Sequence, residues 1–253
     1  MSQTGQSRGP ISLKVALTIK RCKRFLEYLP KIITFRTHRV KGYLFRSGII
    51  KLYLELHKIR KLHIGAARNI IDGWLNADLK PRSGKVIFLD VTEAFPMKSC
   101  AFDYIFSEHL IEHLPYNAGR FMLKECYRVM KPGGRIRIAT PDLERLTGLL
   151  SPEKSELQER YIKWIINKFL PGTGVYRASI VINNSFCNFG HNFIYDRETL
   201  KDILEEAGFI EVMSFLTGES NDEHLRGIEF HGLSVGSEEM NQFETMVLEA
   251  KRP

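Results

Sequence analysis

Cysteine is scarce and dispersed. The four, Cys22, Cys100, Cys126 and Cys187, stand far apart and form no CxxC pair. That argues against a disulfide framework and a cysteine-built zinc site, and it suits a reducing compartment. No apolar run reaches the roughly 18 residues a membrane-spanning helix needs. A secretory leader is not expected either. Met1 to Pro10 is polar, and Lys14, Lys20 and Arg21 interrupt the apolar stretch that follows. Internal repeats and low-complexity tracts are lacking. What remains is a 253-residue chain, 43% hydrophobic and 26% charged. It is long enough for one sizeable α/β domain with extensions, or at most two small domains, and a cytoplasmic location is the expectation.

Acidic residues are nearly missing from the first 60 positions. Fourteen Lys and Arg there face only Glu27 and Glu55, a net +12 in a chain whose total is +8. The rest of the chain is therefore net negative. Such a segment seeks an anionic partner, whether lipid surface, nucleic acid or acidic substrate, unless it is simply a solvated helical hairpin. Phe25, Leu26, Leu29, Ile32 and Ile33 recur at helical spacing, Pro30 interrupts them, and a further helix is predicted over Ile49 to Ile59. Residues 1–60 thus read as a basic helical extension of a domain spanning 61–253.

From Lys61 short apolar runs alternate with helical patterns. Strands are predicted at Lys61–Ile64, Trp74–Ala77, Val86–Leu89, Tyr104–Phe106, Arg135–Ala139, Phe209–Leu216 and Thr245–Ala250. A helix is expected from Asn117 to Met130, stopped by Lys131-Pro132-Gly133-Gly134, and another from Asp196, its N-cap, to Ala207. Ser151 to Phe169 reads as helix. Pro171 to Asn192 reads as a long loop, so a lid-like insertion is expected around 150–195. Alternation of this kind predicts a Rossmann-like, doubly wound parallel sheet.

Ligands of such sheets bind at the C-terminal ends of the strands, and small, acidic or histidine residues gather there. Gly65-Ala66-Ala67 follows the first strand and lets backbone N–H groups approach a ligand. Asp78 ends the second strand and can accept both ribose hydroxyls of a nucleoside. It lies 13 residues past Gly65, short of the roughly 20 of the dinucleotide fingerprint. The crossover helix is therefore very short, and a nicotinamide dinucleotide is disfavoured. Asp90 ends the third strand, where it can accept from an adenine amino group while Val91 packs on the ring. Ser107, Glu108 and His109 follow the fourth strand. His109, Glu112 and His113 share a helical face, but HEXXH is absent and no metal is expected. His109 is the candidate general base.

Taken together, these residues resemble the class I S-adenosylmethionine-dependent methyltransferases. The closest pattern is the type 11-like bacterial branch. It carries a strand-glycine turn, then GWxNxD, LD, FDxIxxxHxxEHL and RVxKPGGxxRIxxPDL. Here those read Gly73 to Asp78, Leu89-Asp90, Phe102 to Leu114, and Arg128 to Leu143. The stretch Gly190 to Asp196 and the LRGIEFH segment are similar to methyltransferases of surface polysaccharide biosynthesis. The resemblance implies a seven-stranded sheet with an antiparallel last strand and S-adenosylmethionine as cofactor. It implies that Gly65 admits the methionine part, Asp78 holds the ribose and Asp90 the adenine, with Ala66, Ala67, Val91, Ser107 and Glu108 lining the same site. One departure stands out: the family turn usually reads GxG, and here its second glycine is Ala67. The expected reaction is O-methylation of a sugar, glycan or lipid-linked hydroxyl. His109 would take the proton, and His191 and Tyr195 would orient the acceptor. Arg226, Glu229 and His231 form a further polar cluster for the same mouth. The basic extension would rest on the inner face of an anionic membrane. Two rivals stay open. One is a nucleic-acid or protein methyltransferase, supported by aromatics among the N-terminal charges but lacking an NPPY-like motif. The other is a non-catalytic module, supported by Ala67.

Overall fold

The computed structural model describes residues 40–253. The helices expected before residue 40 lie outside the described residues. Helix α1 (Arg46–Leu56) begins and ends three residues before the expected Ile49–Ile59. It docks through Ile50 and Tyr53, and the Tyr53 hydroxyl donates to the carbonyls of Lys61 and Gly73.

Seven strands form one sheet: β1 (Lys61–Ile64), β2 (Leu75–Asp78), β3 (Val86–Phe88), β4 (Phe102–Glu108), β5 (Met130–Pro141), β6 (Ile210–Phe215) and β7 (Thr245–Lys251). Their order is β3-β2-β1-β4-β5-β7-β6, with β7 antiparallel to both its neighbours. Strand β5 starts earlier than Arg135, because the Lys131-Pro132-Gly133-Gly134 segment continues as strand. Gly133 takes φ +81, and Gly134 has no room for a side chain: a Cβ would sit 2.8 Å from the Asp103 carbonyl. Helices α2 (Tyr116–Val129) and α6 (Arg197–Glu206) join one face of the sheet. Met122, Leu123, Cys126, Leu200, Ile203 and Leu204 pack there with Leu62, Ile64, Ile105, Ile136 and Leu248.

The second face is unusual. Directly paired residues point to the same side of a sheet. The chain Asn76, His63, Phe106, Arg137, Glu249 is paired in that order across five strands. A row of mostly polar residues therefore crosses this face, all buried. Neighbours in it are hydrogen-bonded in pairs, although Glu249 Oε2 has no hydrogen-bond partner among the described residues. His63 Nδ1 lies 3.0 Å from Asn76 Oδ1, and burial pushes the imidazole down to about 4. The Arg137 guanidinium donates to Glu249 at 2.5 Å and to Glu229 at 2.6 Å.

No helix forms between β1 and β4, because residues 65–101 are all turns and short strands. Residues 216–230, which follow β6, cover the bare face instead. Leu225 packs on Trp74 and Phe106. Tyr104 donates to Asp222, and Glu229 meets Arg137. We call this segment the strap.

The expected long loop at Pro171–Asn192 contains a ten-residue helix, α5 (Ala178–Cys187). Its Ala178 and Val181 are buried against Tyr161, Ile162, Ile165 and Ile166 of α4 (Glu156–Phe169). Helix α4 starts at a capping box built by Ser155 and Gln158, not at Ser151. Together with α3 (Leu143–Gly148) and the short helices α7 (His231–Val235) and α8 (Glu238–Glu244) these form a cap beyond the C-terminal ends of β4 and β5. Among the described residues no helix is long and apolar enough to cross a membrane.

Candidate functional site

The first half of the site is the turn after β1. The N–H groups of Gly65 and Ala66 both donate to the Ala77 carbonyl, at 2.9 and 3.0 Å, which tucks the turn against β2. Gly65 takes φ +79, and a Cβ there would come within 3.1 Å of Leu110. Ala66 is fully buried. Ala67 sits at φ +44, in the left-handed region that costs a residue with a Cβ about 1–2 kcal/mol. Asp78 offsets part of this cost: its Oδ2 accepts the Ala67 N–H at 2.8 Å while its Oδ1 accepts from Lys80 at 2.6 Å. Ala67→Gly should therefore leave the fold intact and raise thermal stability by a few tenths to about 1 kcal/mol, less what the freer unfolded chain takes back. A measured loss of stability would show that the left-handed turn is not the solution form.

Asp90 lies at the end of β3, where its Oδ1 accepts the Thr92 N–H and hydroxyl in a tight turn, and Val91 beside it is buried. Ser107, near the end of β4, is buried and its hydroxyl has no hydrogen-bond partner among the described residues. Two carboxylates at the ends of adjacent strands, a turn that excludes a Cβ and an unsatisfied buried hydroxyl together fit a nucleoside cofactor. A carboxylate has about four acceptor positions, so Asp78 keeps capacity for ribose hydroxyls after its two backbone bonds. Glu108 behaves otherwise. Both its oxygens accept the Phe230 N–H, at 3.0 and 3.1 Å, and one accepts the His231 N–H at 2.9 Å. It holds the end of the strap.

The second half is a cavity of about 280 Å³ beyond β4 and β5. Its walls are apolar and aromatic: Leu146, Tyr161, Ile165, Phe169, Phe189 and Val235. Its floor is polar: His109, Glu112, His113, His191, His231 and Glu244. His109 reaches it because φ +45 swings the chain out of β4. The segment that follows is a 3-10 turn, Ile111–His113, not an α-helix.

Both His109 nitrogens are engaged. Nδ1 lies 3.1 Å from Glu112 Oε1, and Nε2 lies 3.2 Å from the Thr245 hydroxyl, which itself donates to Asn241. Glu112 is completely buried and also accepts from Thr140 at 2.9 Å. Burial alone would lower the His109 pKa and raise that of Glu112. Their mutual hydrogen bond and attraction outweigh it, so His109 is raised and Glu112 lowered. Both ring nitrogens of His109 are thus held by protein groups, so it does not stand in the cavity as an unpartnered imidazole. Its ring stacks on His231, with centroids 3.7 Å apart. His231 Nε2 lies 3.6 Å from Glu244 Oε1, and the Tyr161 hydroxyl donates to the other Glu244 oxygen.

His191 lines the cavity, and burial lowers its pKa. Tyr195 does not line it. It is fully buried beside Phe193 and Tyr116, with its hydroxyl where a Cβ on Gly119 would fall. The cluster of Arg226, Glu229 and His231 is split. Arg226 donates to the Ser220 carbonyl, Glu229 meets Arg137, and only His231 reaches the cavity. Sequence reasoning missed Tyr161, Glu244 and Thr245, which no local spacing marks.

Residues 74–138, from β2 into β5, match the family model described as a methyltransferase domain. No curated protein matches the chain. Among solved structures, an S-adenosylmethionine-dependent methyltransferase from Archaeoglobus fulgidus is 20% identical, covering 89% of this chain and 99% of that one at a TM-score of 0.46. A possible histamine N-methyltransferase from Thermotoga maritima is 17% identical over 91% and 97% of the two chains, with a TM-score of 0.44. Phosphoethanolamine N-methyltransferase 2 of Haemonchus contortus, in complex with S-adenosyl-L-methionine, is 16% identical over 81% of this chain, with a TM-score of 0.43; the chain spans 52% of its length. The matched segment runs from β2 into β5 and carries Asp78 and Asp90, within a seven-stranded Rossmann-like sheet of order β3-β2-β1-β4-β5-β7-β6.

Proposed function

We propose that the protein methylates a hydroxyl oxygen of a sugar, glycan or lipid-linked acceptor seated in the cavity. The observation that carries this reading is the course of residues 107–112. Ser107 ends the cofactor side, and two residues later the left-handed bend at His109 opens the polar floor of the cavity. Aromatic walls over a floor of hydrogen-bonding groups suit a sugar, whose C–H faces lie on rings while its hydroxyls reach donors and acceptors. The net +12 of residues 1–60 supports an acceptor carried at an anionic surface.

The cofactor supplies an electrophilic methyl on a positively charged sulfur. Asp78 would hold the ribose and Asp90 the adenine, and the Gly65 turn would let the backbone close on the methionine end. Alignment of the acceptor oxygen at about 3–3.5 Å from the methyl carbon provides much of the acceleration. The walls exclude water. His231, with Nε2–H directed at Glu244, presents Nδ1 to take the acceptor proton. His109 is a fixed donor beside it.

Calorimetric titration with S-adenosylhomocysteine tests the reading. Binding is expected for the wild type. Asp78→Asn should weaken it about 10- to 100-fold, since a charged hydrogen bond contributes about 1.5–3 kcal/mol. Absence of wild-type binding would sink the proposal.

A further inference from the structure

The floor of the cavity holds three metal-ligating side chains to which the mechanism above gives no contact with the acceptor. We propose that Glu112, His113 and His191 form a binding site for one borderline transition-metal ion such as zinc(II), with its open position facing the cavity.

Ligand atoms of these three residues lie within 4.8 Å of one another. Metal–nitrogen bonds of about 2.0–2.1 Å need only modest side-chain rotation from there. The backbone is already set for it. The Glu112 carbonyl accepts the N–H groups of Asn192 and Phe193, and the Asn192 side chain donates to the His113 carbonyl at 2.7 Å. The loop carrying the third donor is thus stitched to the turn carrying the first two.

Each donor has the right chemistry available. His113 Nδ1 lies 3.2 Å from the Gly190 carbonyl. Donation there fixes the tautomer and leaves Nε2 as the lone-pair nitrogen, as metal-bound histidines are usually arranged. His191 Nδ1 is buried and has no hydrogen-bond partner among the described residues. An orphaned buried nitrogen is costly, and a metal bond would satisfy it. Glu112 carries one hydrogen bond on each oxygen and retains acceptor capacity on both. Two imidazoles and one carboxylate favour zinc, iron(II) or cobalt(II) over magnesium or calcium, and three protein ligands leave a fourth position open. A neighbouring set, His109, His231 and Glu244, is also close-set. It is less suited, because His109 is bonded at both nitrogens and Glu244 is held by Tyr161.

The use of the site rests on the proposed methyl transfer. An acceptor hydroxyl on the open position would lose its proton more readily to His231, through Lewis-acid polarisation.

The test is cobalt(II) titration of the full chain after chelator treatment. One equivalent should bind with the visible absorption of histidine-ligated cobalt, and zinc should displace it. His113→Ala and His191→Ala should each weaken cobalt binding at least about tenfold, the lower bound for disturbing such a shell, with unchanged circular dichroism, while His231→Ala should not. No stoichiometric binding to the wild type overturns the proposal without reference to any variant, and so does equal affinity in all three variants. S-adenosylhomocysteine calorimetry on the same sample reports the cofactor turn separately. A protein that binds the nucleoside but no cobalt refutes the metal site alone.

Discussion

Arg137→Met is expected to lower the free energy of unfolding by about 3–5 kcal/mol, the cost of removing one partner from a buried ion pair. In a chain of this size that is on the order of 10 °C in melting temperature. The reason lies in the count of charges. Arg137 is wholly buried between Glu229 and Glu249, and it also donates to the Glu219 carbonyl at 2.8 Å. Its removal leaves two carboxylates in an apolar interior. Burial already raises the Glu229 pKa against the pull of Arg137, so the variant should take up protons on folding. A triple replacement, Arg137→Met with Glu229→Gln and Glu249→Leu, should recover most of the loss. Urea unfolding measures both. A single-variant loss under about 1 kcal/mol would mean that the buried triad is not formed.

The second large effect concerns His231. His231→Ala should reduce kcat by about 10² to 10⁴, the usual contribution of a positioned proton acceptor. Affinity for S-adenosylhomocysteine should be unchanged, because His231 belongs to the acceptor cavity and not to the β1 turn. Glu244→Gln should show a smaller loss, since it only orients the ring. Single-turnover kinetics with a methyl acceptor would settle it. An unaltered chemical step in His231→Ala would return attention to His109.

Much of the sheet was legible because its strands are local apolar runs that end in punctuating residues. Strand β1 has the expected limits, and Asp196 caps α6 by accepting the Thr199 N–H, with Gly208 at φ +106 ending it. The failures share one cause. Helix α5 hides in a stretch of Asn and Ser whose helicity is decided by Val181 and Ala178 packing on α4. Tyr195 looked polar and accessible, yet its ring completes a core with Phe193. The strap offered no periodic signal, because it is specified by partners far along the chain, such as Arg137 for Glu229, 92 residues away, and Asn69 for Ile228, 159 away. The Glu244–His231 contact joins two short helices whose relation no spacing rule reports.

The strap has a dynamic consequence. Few backbone–backbone hydrogen bonds lie within it: Glu219 N–H to Leu216, Leu225 N–H to Asp222, and Gly227 N–H to Gly218. Segments so lightly laddered open far more often than the molecule unfolds. Amide hydrogens of residues 219–230 should exchange with deuterium well before those of β4 and β5. Each such excursion would carry off the backbone anchor of His231 at Glu108. Proton acceptance could then fail intermittently while the nucleoside remains in place.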